Sequence, residues 1–242
     1  MVERREGKKI IAGHQPHYLP WIGYFNKIHC ADRFCLVDSI QYNKKWFQNS
    51  GQILTQAGPL WLTVPVKTKG HFDQNINEVL IDNGSNWQRK HWKTIMLAYQ
   101  KAPYFKNYKD FFEDIYAQKW EKLVDLNEHI IRGVLEFLNI EKDIMRSSKL
   151  GTTGKKTDLL IDICKKSGSD GYLSGGGGAR QYVDLVRFKE AELLHFFQDF
   201  HHPVYPQQPH GDFVEKMSIV DLLFNCGHGS GDIVKKSGIR TL

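Results

Sequence analysis

The apolar run Ile10-Ile11-Ala12, broken at once by His14-Gln15-Pro16-His17-Tyr18-Leu19-Pro20 and resumed at Trp21-Ile22, most constrains what this chain can fold into. A short apolar run bounded by polar turn residues predicts a buried strand. Apolar residues at Trp21, Ile22, Phe25 and Ile28 predict a helix with one buried face. Arg33-Phe34-Cys35-Leu36-Val37-Asp38 then reads as a second strand, completing a βαβ unit, which is parallel and right-handed. In open sheets of this kind ligands sit beyond the carboxyl ends of the strands. His14, Gln15, His17 and Tyr18 stand at that place, in a loop that Pro16 and Pro20 stiffen by fixing φ. Asp38, Gln41 and Tyr42 emerge beside them. The alternative is an ordinary turn whose polar side chains satisfy local backbone.

Next, Asn43-Lys44-Lys45-Trp46-Phe47-Gln48-Asn49-Ser50 mixes cations, rings and amides. That mixture holds a phosphate and stacks a ring; it equally describes a solvated loop anchored by Trp46 and Phe47. Gln52-Ile53-Leu54 and Leu60-Trp61-Leu62-Thr63-Val64-Pro65-Val66 predict a β-hairpin, and Ile76-Asn77-Glu78-Val79-Leu80-Ile81 a further strand. From Asn86 to Leu138 the spacing turns helical, with stripes through Trp87, His91, Ile95 and Tyr99, through Phe112, Ile115 and Tyr116, and through Leu123, Ile130 and Val134. Thr157 or Asp158 is expected to cap a helix ending at Ser167-Gly168. Gly151-Thr152-Thr153-Gly154-Lys155-Lys156-Thr157 has its glycines too close for a phosphate-binding P-loop.

A brief strand, Gly171-Tyr172-Leu173-Ser174, runs into Gly175-Gly176-Gly177-Gly178 and on to a helix. Bare backbone N–H groups and a helix start then face an anion beside Arg180, unless the glycines are merely a flexible turn. Leu193 to Phe197 reads as a strand. His201-His202-Pro203-Val204-Tyr205-Pro206-Gln207 is an extended loop before a last amphipathic helix, Met217 to Asn225. There Asp221 interrupts an apolar stripe and must pair or line a site. The histidines lack zinc-motif spacing, so no metal is expected. The expected architecture is an α/β fold: a Rossmann-like, mostly parallel sheet with a β-hairpin and a helical insertion or subdomain at residues 83–146, in a single domain spanning residues 1–242.

Of the 242 residues, 41% are hydrophobic and 25% charged, ordinary values for a chain with a buried core. No run approaches the ~18 apolar residues of a membrane span. The charged start lacks a signal-type apolar segment, so a cytoplasmic location is expected. The four cysteines form no C-x-x-C pair and read as reduced thiols. A net charge of +6 suits an anionic partner such as a nucleotide, a sugar phosphate or RNA.

Read together, His14-Gln15-Pro16-His17-Tyr18-Leu19-Pro20-Trp21-Ile22-Gly23-Tyr24-Phe25, residues 38–42, Trp61-Leu62-Thr63-Val64-Pro65-Val66, Tyr172-Leu173-Ser174-Gly175 and Pro203-Val204-Tyr205-Pro206-Gln207 resemble the WbqC-like protein family, in the same order along nearly the whole chain. Ser50 departs from that pattern, in which an arginine follows the Gln-Asn pair. In layout the chain is also similar to the nucleotidyltransferase-like fold of pantothenate synthetase, without its H-x-G-H spacing.

The resemblance implies a role in bacterial surface-polysaccharide synthesis, namely transfer of an amino acid such as glycine to a sugar amine. His14, His17 and Asp38 are then the candidate catalytic groups. Gln15, Tyr18, Gln41, Tyr42, Lys44, Lys45, Asn49, Ser174, Gly175, Gly176, Arg180, Tyr205 and Gln207 are the candidate substrate contacts. ATP or an activated aminoacyl donor would accompany a nucleotide-linked sugar, with nucleic acid entering only as an aminoacyl-tRNA. A non-catalytic nucleotide-sugar binding module using Trp21, Tyr42 and Trp46 as stacking platforms, or an RNA-binding protein, are the rival classes. An exposed tryptophan-rich face would point to a homodimer.

Overall fold

The computed structural model describes residues 7–44, 47–70, 73–181, 183–208 and 211–241. Six strands form the main sheet: β1 (Ile10–His14), β2 (Arg33–Leu36), β5 (Asp143–Arg146), β6 (Gly171–Ser174), β7 (Leu194–Phe200) and β8 (Gly238–Thr241). Their order is β5-β2-β1-β6-β7-β8, parallel except for β8, which runs antiparallel to β7. The chain builds outward from β1 to β2 and β5 on one side, then returns to lay β6 and β7 on the other. The reversal opens a crevice beyond the ends of β1 and β6. The architecture is Rossmann-like.

The period of two along each strand divides its side chains between two cores. Ile10, Ala12, Phe34, Leu36 and Leu173 join a large cluster; Ile11, Cys35 and Tyr172 join a smaller one with Leu159, Ile163 and Phe188. The smaller cluster is covered by α5 (Thr157–Ser167) and α6 (Leu185–Glu190). The larger one is covered by α1 (Ile22–Cys30), the hairpin β3 (Ser50–Thr55) and β4 (Gly58–Thr63), and α2 (Trp87–Tyr99), α3 (Phe105–Ala117), α4 (Leu123–Phe137) and α7 (Ile219–Cys226). Fully buried Phe25, Tyr99, Phe112 and Phe224 knit these helices together.

Several local expectations are corrected. Residues 76–81 form no strand: Ile76–Glu78 is a 3-10 turn, closed by a capping box in which Glu78 Oε2 accepts from the Asn75 backbone N–H at 2.7 Å. Residues 143–146, inside the stretch read as helical, are the edge strand β5. Neither Thr157 nor Asp158 caps α5. Lys156 holds that position at φ 52, Thr157 Oγ1 accepts from the Asp184 N–H at 3.0 Å, and Asp158 pairs with Arg187 at 2.7 Å. The helix does end at Gly168, whose φ of 62 suits a residue without Cβ. The glycine run leads first into a 3-10 turn, Gly178–Gln181, and α6 is capped by its own Asp184, so the run does not pass directly into a bare helix start. After Gly227 the chain adds α8 (Ser230–Lys236) and β8, elements with no counterpart in the sequence reading. Among the described residues no helix is long and apolar enough to cross a membrane.

Candidate functional site

A cavity of about 980 Å3 fills the crevice at the reversal, and both Gly13-His14-Gln15 and Ser174 with the four glycines line it. The proline-stiffened first loop and the glycine bend therefore open onto one space. Gly176 permits the closure: a Cβ there would lie 2.4 Å from the carbonyl oxygen of Gln198.

His14 ends β1 on the cavity wall. Its Nδ1 lies 3.1 Å from the carbonyl oxygen of Gln15. A carbonyl only accepts, so Nδ1 carries the hydrogen and Nε2 keeps a lone pair. Burial, helped by the charge of Lys27, pushes the imidazole pKa down to about 3. His17 packs edge-on against it at 4.5 Å and stacks on Phe47 at 5.4 Å. It is only 4% exposed, and neither ring nitrogen has a hydrogen-bond partner among the described residues. Burial, with His14 and Lys27 nearby, holds His17 neutral.

Lys27 comes from α1, and nothing in its local sequence marks it out. It is 5% exposed, donates from Nζ to the Gly13 carbonyl at 2.8 Å, and has no carboxylate partner among the described residues. Burial lowers its pKa to about 7. A Cβ on Gly175 would stand 4.0 Å from Nζ, so this amine bridges the two loops. Lys156 and Lys216 also line the cavity, both at positive φ, and Arg180 lies over the Phe197 ring at 4.3 Å. The acid among the lining residues is Asp199, which faces His201 at 3.4 Å. Ser174 Oγ sits 2.9 Å from His195 Nε2, a partner that the sequence concealed inside a strand.

Other candidates lie elsewhere. Tyr42, Lys44 and Asn49 line a second cavity of about 610 Å3 under the hairpin, walled by Phe47 and Trp61. Its Ser50, the departure from the family pattern, pairs with Thr63 Oγ1 at 2.9 Å. Asp38 is fully buried and accepts from Ser147 Oγ, Ser148 N and Ser148 Oγ at 3.0, 2.8 and 2.7 Å, clamping β2 to the end of β5. Tyr18 turns to the helical layer, its hydroxyl bonding Tyr116 and His91. Tyr205 and Gln207 donate to buried Asp221, at 2.7 and 2.9 Å. Gln41 is exposed and reaches Asp73 at 3.4 Å. Lys45 and Trp46 lie outside the described residues. Among the described residues, no three His, Cys, Asp or Glu side chains are grouped to hold a metal ion.

Comparison with known proteins gives the context for this geometry. The WbqC-like protein family matches residues 15–233. A protein of Mycobacterium tuberculosis (strain ATCC 25618 / H37Rv), named Uncharacterized protein Rv1507c, is 34% identical over 228 residues, which cover 94% of this chain and 98% of that relative. No solved structure matches the chain.

Proposed function

The chain belongs to the WbqC-like protein family, and on that premise we propose that it is an enzyme forming an amide on a nucleotide-linked amino sugar by aminoacyl, notably glycyl, transfer in bacterial surface-polysaccharide synthesis. The observation that carries this reading is the charge of the crevice: Lys27, Lys156, Arg180 and Lys216 converge on it against the single carboxylate Asp199. Phosphates are the natural counter-ions for such a set, and a low-dielectric wall strengthens the attraction.

Amide formation needs the attacking amine to lose a proton. The His14 Nε2 lone pair is available for it, whereas Asp38 is fully engaged by Ser147 and Ser148. A bound phosphate would raise the depressed His14 pKa toward neutrality, because an opposite charge favours the protonated ring. The hairpin cavity suits a sugar ring. Phe47 and Trp61 are 38% and 47% exposed on its wall. The buried Tyr42 hydroxyl and Asn49 Oδ1 beside them have no hydrogen-bond partners among the described residues.

Incubation with nucleotide-linked amino sugars and ATP plus glycine, or glycyl-tRNA, followed by mass spectrometry, tests the reading. It expects a glycyl amide whose yield falls at least tenfold with His14→Ala. Saturable sugar-nucleotide binding without product from any donor would replace the enzyme by a binding module.

A further inference from the structure

β6 and β7 run parallel with Tyr172 beside His195 and Ser174 beside Phe197. Ser174 and His195 therefore project to the same face of the sheet, one step apart, and their Oγ and Nε2 atoms meet at 2.9 Å. The His195 ring is fixed by packing: Phe188 and Phe197 each lie edge-on at 4.7 Å, and Tyr172 stacks at 6.5 Å. Among the described residues no hydrogen-bond partner meets its Nδ1. Ser174 lines the crevice, and the Lys27 ammonium and the backbone of the glycine bend border the same space. A hydroxyl on an imidazole, at the carboxyl end of a strand and beside a cation, is the arrangement of an activated nucleophile.

We propose that Ser174 is a nucleophile and His195 its base, so that the acyl group passes through a serine ester on its way to the amine. This rests on the acyl-transfer reading above and adds a covalent intermediate to it. In the first half, Ser174 Oγ forms a bond to the carbonyl carbon of an activated ester or thioester as its proton passes to His195 Nε2. The bond to the donor's alcohol or thiol breaks, and that group leaves with the proton from His195. Lys27 stabilises the oxyanion between these events. In the second half the sugar amine forms the C–N bond and the serine C–O bond breaks. The amine's proton goes to His14 Nε2 and on to solvent, and His195, left neutral by the first half, takes one proton from solvent at Nε2 and passes it to the departing Ser174 oxygen, so that one proton leaves and one returns.

The experiment is covalent labelling of the full chain with a fluorophosphonate and, separately, p-nitrophenyl acetate, with the modified residue located by peptide mass spectrometry. The expected result is one adduct on Ser174, absent in Ser174→Ala and formed at least tenfold more slowly in His195→Gln, with both variants melting like the parent. Should either variant misfold, Ser174→Cys supplies the second measurement. Iodoacetamide should alkylate position 174 at least tenfold faster than any native cysteine, since burial pushes Cys35 and Cys164 up to about 12 and Cys30 and Cys226 up to about 11. A folded parent that takes no label at Ser174 overturns the proposal. So does an amide product made at parental rate by Ser174→Ala, which would leave the transfer reading intact. Labelling of Ser174 without amide formation on any sugar amine would support the dyad and remove the sugar acceptor instead.

Discussion

Lys27 Nζ lies 2.8 Å from the carbonyl oxygen of Gly13, and no carboxylate among the described residues pairs with it. Lysines this buried are nearly always matched by an acid. The missing negative charge is assigned here to the ligand. The pKa of about 7 against 10.5 sets the sign of the pH effects. Below about pH 7 the cost of burying the ammonium is present in full. It is relieved as pH rises from about 7 toward 10.5, because only the unfolded chain then keeps the proton. Anion affinity runs the other way. Binding of sulfate, whose charge is constant over this range, should weaken as pH rises from 7 to 9, and Lys27→Met should flatten that dependence in a calorimetric titration.

His14 is held neutral well into acid. A turnover profile limited by this group should therefore show no acid limb near 6.5 in the free enzyme, and the limb should move upward when an anion is bound. The kcat/KM profile measures the first and the kcat profile the second. An unshifted histidine would give limbs near 6.5 in both.

Four buried histidines carry the acid sensitivity of the fold. His14, His17, His91 and His195 all have pKa values lowered chiefly by burial. They are neutral when folded and gain protons on unfolding once pH falls below about 6.5, so stability drops from there toward the folded values near 3 to 4. Each contributes a slope approaching about 1.4 kcal/mol per pH unit well below 6.5. Melting temperature should fall steeply between pH 6.5 and 5, and His91→Gln should flatten the fall.

Asp221 accepts from Tyr99, Tyr205 and Gln207 at 2.9, 2.7 and 2.9 Å; Asp221 and both tyrosines are buried and Gln207 is half-buried. Asp221→Ala takes the acceptor from the buried Tyr99 and Tyr205 hydroxyls, whereas Gln207 keeps its bond to the Val214 carbonyl, and should cost about 3 kcal/mol. Tyr205→Phe removes the donation to Asp221 and a long 3.4 Å bond from Gln207, and should cost about 1–2 kcal/mol. Denaturant midpoints measure both. Sulfate affinity should be unchanged in Tyr205→Phe, which separates this structural cluster from the crevice.

What was legible in the sequence was whatever local spacing determines. The apolar run at Ile10, the prolines around His17 and the four glycines after Ser174 each change the backbone where they stand, and they bracket the crevice correctly. The interruption of an apolar stripe by Asp221 also announced a buried polar cluster. Pairing across long sequence gaps was not legible. Asp143-Ile144-Met145-Arg146 becomes a strand only because β2 offers it an edge, and residues 238–241 only because β7 does. Ile76–Glu78 looked extended by composition, yet the Asn75–Glu78 capping box turns it. Lys27 carries no local mark at all. Its importance arises from burial against Gly13, 14 residues earlier in the chain, and from the absence of an acid that only three-dimensional neighbours reveal. Tyr18, Asp38, Tyr205 and Gln207 each bond a side chain far along the chain or on another element, which no local spacing announces.

A crystal structure of the protein with a nucleoside diphosphate tests the central claim most directly. The account predicts the diphosphate between His14 and the Gly175 bend, with an oxygen within hydrogen-bond distance of Lys27 Nζ. A diphosphate ordered elsewhere on the molecule, with the crevice between β1 and β6 holding only solvent, would contradict it.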